Sequence, residues 1–136
     1  MKFRDITVSF ALLTMFGCQN IFEDNDVTLD GSVPHNTVEA PGANNTYNAG
    51  DAIKLQTSFV DKDAVAEVDI KIVSLGGDHR GNTNIIDFKR FPNVNQYKLD
   101  TMFAAKTFAP GNYQLLIRSV DSRKNEGTKE IMFSVN

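Results

Sequence analysis

The chain has 136 residues, of which 41% are hydrophobic and 23% are charged, and its 14 basic and 17 acidic side chains give a formal net charge of -3. This composition is typical of a globular protein, and the length fits one domain of common size. Because the basic residues form no block, the composition excludes the electrostatic footprint of a nucleic-acid-binding protein. The single cysteine excludes an internal disulfide and any metal site built from several cysteines.

The N-terminal residues have the pattern of a targeting signal. Lys2 and Arg4 precede a largely apolar run at residues 6–17, which is shorter than the span of about 20 residues that a bilayer requires. This order is typical of a secretory signal peptide. The run ends in Met15-Phe16-Gly17, and the only cysteine of the chain, Cys18, follows directly.

The Gly17-Cys18 pair resembles the lipobox of bacterial lipoproteins. The resemblance implies that residues 1–17 are a lipoprotein signal peptide, that Cys18 is lipidated, and that the protein contacts the membrane through this lipid anchor. The alternative is an ordinary signal peptide followed by a chance cysteine. Lipid chains bury their methylenes at about 0.8 kcal/mol each, so a multiply acylated cysteine would hold the protein permanently. Residues 18–34 then form the lipidated cysteine and a flexible polar tether.

The start of the tether bears on which side of the membrane the domain occupies. Gln19 follows the cysteine, and an acidic cluster lies close behind it at Glu23, Asp24 and Asp26. In lipoproteins of the Bacteroidota, a Gln or Ser followed by acidic residues resembles a surface-export signal. The resemblance implies an outer-membrane lipoprotein that is displayed outward. The alternative is a solvated linker facing the periplasm.

Beyond the tether, apolar and polar residues alternate with a period of two, which predicts strands. Clusters of Gly, Pro, Asn and Asp separate the runs, including a predicted turn at Asp61-Lys62-Asp63. A short helical turn is predicted within residues 101–108. The seven predicted strands are residues 33–40, 52–59, 67–74, 84–91, 96–101, 112–120 and 128–135.

Seven short strands over about 100 residues predict an all-β fold, an antiparallel immunoglobulin-like β-sandwich at residues 35–136. In a sandwich with this strand order, the second-to-third and sixth-to-seventh connections emerge at the same end. Four polar residues of these connections would then lie near one another: Asp61, Asp63, Asp121 and Asn125. Hard oxygen ligands in this number suit weakly bound Ca²⁺. The alternative is that these side chains bond the backbone of their own turns.

The run from Pro110 to Asp121, which reads PGNYQLLIRSVD, is the most specific motif of the domain. It resembles a Bacteroidota family of small lipoproteins with one immunoglobulin-like domain of unknown function, and the resemblance covers residues 35–136. Tyr113 resembles the tyrosine corner, whose hydroxyl bonds back to the preceding loop. In that family the loop after the third strand is often rich in histidine. Here it keeps Asp78 and His79, a candidate ligand loop whose alternative is a Gly-rich solvent-facing turn.

The chain contains none of the catalytic motifs GxSxG and HExxH and neither a Walker loop nor a Rossmann fingerprint, so we expect it not to be an enzyme. Asp100-Thr101-Met102 resembles the short O-glycosylation motif of the same bacterial phylum, which implies modification at Thr101. A sugar-binding surface would need exposed aromatic rings. Four are candidates for such a platform, with a core or loop-anchoring role as the favoured alternative for each: Tyr47, Phe91, Phe103 and Phe108.

We therefore expect a membrane-anchored, non-catalytic module that binds a protein or glycan through its loops or through an edge strand, by β-augmentation. One alternative is a structural accessory subunit of a larger envelope assembly. Another is a Ca²⁺-dependent adhesion module. We expect no cofactor other than weakly bound Ca²⁺.

Overall fold

The alternating side chains form strands, as a period of two requires. A computed structural model of the protein describes residues 31–76 and 82–136, and within them it contains seven strands. Their bounds are β1 His35–Ala40, β2 Thr46–Tyr47, β3 Ile53–Leu75, β4 Thr83–Arg90, β5 Val94–Phe103, β6 Gly111–Asp121 and β7 Glu126–Val135. Among these residues, no helix is long and apolar enough to cross a membrane.

The 23-residue strand β3 belongs to both layers of the fold. Its first half pairs antiparallel with β1 and β5, and its second half pairs antiparallel with β4 and β6. Strand β7 continues the second layer beyond β6, and β2 adds a short parallel pair to β7. The predicted immunoglobulin-like β-sandwich is confirmed, with layers β1-β3-β5 and β4-β3-β6-β7-β2 that share one strand.

The bend that carries β3 from one layer to the other lies at residues 61–64. The sequence predicts a turn at Asp61-Lys62-Asp63 that separates two strands. The separation is wrong, because strand β3 continues through these residues, but Asp61 Oδ1 accepts the N–H of Asp63 as in a turn and the chain changes layer here. The register of β3 against β5 shifts between Val60 and Val65, and Ala64 has a φ of 66°. The change of layer is thus made within a strand.

Two further segments differ from the prediction. The helical turn predicted for residues 101–108 is wrong at its start, because Met102 and Phe103 pair with the first two residues of β3. Only Ala105–Thr107 form a single 3-10 turn. Strand β2 is not predicted at all. Its two residues gain their structure from a parallel pairing with the distant end of β7, which local patterns do not reveal.

The inward phases of the two layers form one core. Leu55, Phe59 and Ile70 of β3 have no exposed surface, and burying a side chain of this size contributes about 1.5–3 kcal/mol. Tyr113 and Phe133 stack with ring centroids 5.4 Å apart. The Tyr113 hydroxyl donates a hydrogen bond of 2.5 Å to the carbonyl oxygen of Ala109 in the preceding loop, as the tyrosine-corner resemblance implies.

Candidate functional site

Three acidic side chains converge where β3 changes layer. Asp61 and Asp63 lie in the bend, Asp121 ends β6, and one carboxylate oxygen of each lies within 4.8 Å of those of the other two. Asn125, the fourth residue predicted for this place, enters the cluster through its amide nitrogen, 2.7 Å from Asp121 Oδ2. Its oxygen instead accepts the backbone N–H of Gly31 at 3.3 Å. Three of the four predicted ligands are therefore brought together as oxygen donors.

Two of these carboxylates shape the backbone around them. Asp121 Oδ1 accepts the backbone N–H groups of Arg123 and Asn125, both at 2.8 Å, and Asp61 Oδ1 accepts the N–H of Asp63 at 2.7 Å. Such bonds from a side chain to its own turn are typical of Asp in tight turns. Removing either carboxylate would therefore disturb the bend or the β6–β7 turn directly.

Asp63 is bound differently, because its carboxylate meets cations. Its Oδ1 lies 3.2 Å from Arg123 Nε, and its Oδ2 lies 3.4 Å from Lys62 Nζ. The Oδ2 atom is buried and accepts no hydrogen bond from the described residues. The acidic cluster can thus do two things: it can hold a hard cation such as Ca²⁺, or it can tie the bend of β3 to the β6–β7 turn.

A ladder of charged side chains crosses the outer face of the second layer. We call Glu67, Lys89, Arg118 and Glu126 the charged ladder. Lys89 Nζ and Arg118 Nη1 lie 2.7 and 3.2 Å from Glu67 Oε1, and Arg118 also pairs with Glu126. The hydrogen bond from Lys89 lowers the pKa of Glu67, and that from Arg118 lowers the pKa of Glu126. The ladder connects β4, β3, β6 and β7.

Three of the four aromatic residues considered as platforms pack in or against the core. Phe108 is buried, with 4% of its surface exposed, and Tyr47 and Phe103 are half-buried. Tyr47 packs edge-on against Phe133, with ring centroids 5.9 Å apart. The favoured alternative, a core or loop-anchoring role, is therefore correct for these three residues. Phe91, in the β4–β5 link, is 64% exposed.

The remaining predicted site residues are either outside the described ranges or on β5. Cys18, Asp78 and His79 lie outside the residues that the structure describes. Thr101 is half-buried on β5 and pairs with Leu55, so its side chain shares the inward face of that strand. Lipidation, the ligand loop and O-glycosylation stay predictions.

The strands differ in how open their outer edges are. Within the described ranges, β5 pairs with β3 alone, and eight consecutive residue pairs run from Ile53 opposite Phe103 to Val60 opposite Gln96 without a shift. Strands β1 and β4 also pair with β3 at the sheet edges, and all three pairings contain a register shift. The shift of β5 lies beyond its eight regular pairs, between Val60 and Val65, so β5 has the longest regular run of the three. Long regular edges are templates for an added strand. The sequence predicts β5 but gives no signal that its edge stays uncovered.

Comparison with known proteins supports the architecture. No family model and no curated protein matches the chain. OgpA from Akkermansia muciniphila is similar at 12% identity with a TM-score of 0.52, over 79% of this chain and 30% of that one. The fibronectin(III)-like modules of Clostridium thermocellum CbhA match at 20% identity with a TM-score of 0.48, over 74% of this chain and 94% of that one.

Murine CRIg also matches, at 12% identity with a TM-score of 0.47, over 75% of this chain and 97% of that one. At such identities the similarity concerns the fold alone. This chain spans less than a third of OgpA, so that protein's activity cannot be carried over. The strand topology defines the class of fold as an immunoglobulin-like β-sandwich.

Proposed function

We propose that this chain is a membrane-anchored envelope lipoprotein whose immunoglobulin-like module binds a protein partner through the open edge of β5, without chemistry of its own. The observation that carries the proposal is the run of eight regular pairs between β5 and β3 on one side and the absence of a neighbouring strand on the other among the described residues. An edge of this kind offers backbone donors and acceptors to an extended segment of another chain.

The proposed location rests on the N-terminal sequence. Gly17-Cys18 after an apolar run supports lipidation of Cys18, and the acidic residues that follow Gln19 support display on the outer face of the outer membrane. The resemblance of residues 35–136 to small Bacteroidota lipoproteins agrees with both. We expect wild-type protein in the membrane fraction and a Cys18→Ala variant outside it. Wild-type protein that fractionates as soluble would contradict the anchor.

The side of the membrane is tested separately, by adding protease to intact cells. Cleavage of the wild-type protein on intact cells supports outward display. Protection until lysis would contradict outward display and place the partner in the periplasm. A periplasmic marker protein of the same cells serves as the control for intact membranes.

The binding edge is tested by a photo-crosslinking amino acid placed at Asp100 on β5 in the full chain, in living cells. The matched position is Glu39, which is exposed on β1, the opposite edge of the same layer. We expect a discrete protein adduct from position 100 and none from position 39. The absence of any adduct at position 100 would contradict the proposal, and an adduct from position 39 alone would move the binding site to β1.

Calcium-dependent adhesion is a second candidate, favoured by one observation. Asp61, Asp63 and Asp121 each offer an oxygen within 4.8 Å of the others, and three carboxylates are the hard donors that Ca²⁺ prefers. These residues would hold the ion through their carboxylates, and Asn125 would contribute by orienting Asp121. Extracellular modules of this kind bind Ca²⁺ at about 0.1–1 mM.

A further inference from the structure

The inward side chains of β5 are only partly covered at the open edge of the first layer. Tyr97 and Phe103 pack against the core but remain half-buried, while Leu99 between them is 8% exposed. All three point inward, because they pair with the buried residues of β3. A strand added beside β5 would cover the open sides of these rings.

The outward side chains of β5 have an order that complements itself. Lys98 and Asp100 flank Leu99, and all three lie in the uninterrupted part of the strand. If a second β5 is placed antiparallel with Leu99 opposite Leu99, each Lys98 lies opposite the Asp100 of the other copy. Residues directly opposite in an antiparallel pair share one face and have Cβ atoms about 4.5–5.5 Å apart. The two ion pairs are then equivalent by two-fold symmetry.

Few contacts within the chain compete with the ion pairs between Lys98 and Asp100 of two copies. Lys98 makes no ion pair with the described residues of its own chain. Asp100 has only Lys54 as an ion-pair partner among them, at 3.2 Å, and both side chains are largely solvated, at 43% and 59% exposed. A shift of register by one residue would bring Lys98 opposite Leu99, on the wrong face.

We propose that the partner of the β5 edge is a second copy of this chain, joined by antiparallel pairing of residues 95–103 in the register that places Leu99 opposite Leu99. This inference rests on the proposed function, since it names the protein that the open edge binds. The first layers of the two copies become one continuous sheet, β1-β3-β5-β5-β3-β1.

The edge strand β4 offers a rival that the contacts disfavour. It contains a similar order, Asp87-Phe88-Lys89, but its charges are already used within the chain. Lys89 lies 2.7 Å from Glu67, and Asp87 lies 3.8 Å from Lys71. The register of β4 is also interrupted by a shift near Ile86. Self-pairing at β5 therefore costs fewer existing contacts than self-pairing at β4.

A charge-swap cycle tests the pairing and its register. The dimer dissociation constant of the full chain is measured in detergent by sedimentation equilibrium for wild type, Lys98→Asp, Asp100→Lys and the double variant. Each single variant places like charges opposite one another twice, so we expect dissociation constants about tenfold or more above wild type. The double variant re-forms both pairs and should recover most of the loss.

Two matched variants control for effects of charge alone. Glu39→Lys on β1 and Asp87→Lys on β4 reverse a charge on other edges and should leave the constant unchanged. A wild-type chain that stays monomeric, or a dimer that is insensitive to both β5 variants, would overturn the inference. A dimer that responds only to Asp87→Lys would move the interface to β4 and overturn it equally.

Disulfide cross-linking tests the register of the β5–β5 pairing independently of charge. Cys18 is kept, because its lipidated sulfur is a thioether and cannot form a disulfide. A chain carrying both Lys98→Cys and Asp100→Cys should then cross-link to a second copy in membranes. The pair Gln96→Cys and Asp100→Cys, which the register does not place opposite, should not. The photo-adduct at position 100 separates the two proposals. An adduct with another protein would leave the proposed function standing and overturn the second copy as partner.

Discussion

The hydroxyl of Tyr113 donates to the carbonyl oxygen of Ala109, four residues earlier, across the loop that leads into β6. The ordinary pKa of a tyrosine, 10.0, already keeps the hydroxyl protonated at neutral pH, and burial raises the pKa of Tyr113 further. The bond fixes the loop against a ring that also stacks on Phe133.

Tyr113→Phe removes this hydrogen bond and keeps the ring. We expect a loss of about 0.5–1.5 kcal/mol in the free energy of unfolding, measured by urea denaturation. The matched variant is Tyr97→Phe on β5, whose ring stacks on Phe59 and whose hydroxyl has no hydrogen bond to the described residues. Equal losses of unfolding free energy in the two variants would show that the Tyr113 hydrogen bond does not contribute to stability.

The charged ladder predicts a dependence of stability on pH. Lys89 favours the ionised form of Glu67, so the folded protein binds that proton more weakly than the unfolded chain does. The stabilisation is complete above the ordinary pKa of 4.5 and is lost as the pH falls through the lowered folded-state value. In Glu67→Gln, the urea midpoint should therefore fall less between about pH 6 and pH 3 than in wild type.

The control for this measurement is Glu39→Gln, because Glu39 is exposed on β1 and makes no ion pair with the described residues. Its midpoint should follow the wild-type pH dependence. Added salt should reduce the difference between Glu67→Gln and wild type, since exposed pairs are screened. An identical acid dependence in all three proteins would contradict the role of Glu67.

At Gly127, a single added methyl group is expected to lower the stability of the fold. A Cβ atom at this position would overlap the backbone carbonyl oxygen of Pro34, which leads into β1. We expect Gly127→Ala to cost about 1–3 kcal/mol in unfolding free energy, because backbone must move. At Gly42 the added atom meets only the side-chain end of Asn45, which can turn away, so Gly42→Ala should cost less.

Calcium binding is tested by thermal unfolding with and without the ion. If the acidic cluster binds Ca²⁺, a concentration about ten times the dissociation constant stabilises the fold by roughly 1.4 kcal/mol. Asp63→Asn should abolish the shift, and it is the informative variant because Asp61 and Asp121 also shape their turns. Asp87→Asn on β4 should keep it. No shift in wild type would eliminate this candidate.

The sequence predicts the fold well where local alternation decides it. The inward phase of β3 is correct at Ile53, Leu55 and Phe59, because each apolar residue faces a shared core. Local sequence patterns do not predict structure that depends on contacts with residues far away in the chain. Asp61-Lys62-Asp63 has the composition of a turn and lies outside the registers that β3 makes with β1, β5 and β6, yet β3 continues through it from one layer to the other. The two residues of β2 depend wholly on β7.

The same distinction applies to the candidate sites. The convergence of Asp61, Asp63 and Asp121 follows from strand order, which the sequence supplies. The amide orientation of Asn125 depends on Gly31, more than ninety residues earlier in the chain, and could not be predicted. The charged ladder has a partial signal in the polar phase of β3, but which charges meet is decided by register across four strands.

The hydrogen bond between Gly31 and Asn125 lies at the end of the sandwich where the chain enters, because His35 at the start of β1 pairs with Val60 beside the bend. That end holds the β6–β7 turn and the start of β5, whereas Leu75 and Gly111 lie at the other. A lone anchored copy could therefore stand upright, with its acidic end toward the lipid. Antiparallel pairing of β5 sends the two entry points in opposite directions. Two copies tethered to one membrane would then lie flat, their strands along its surface.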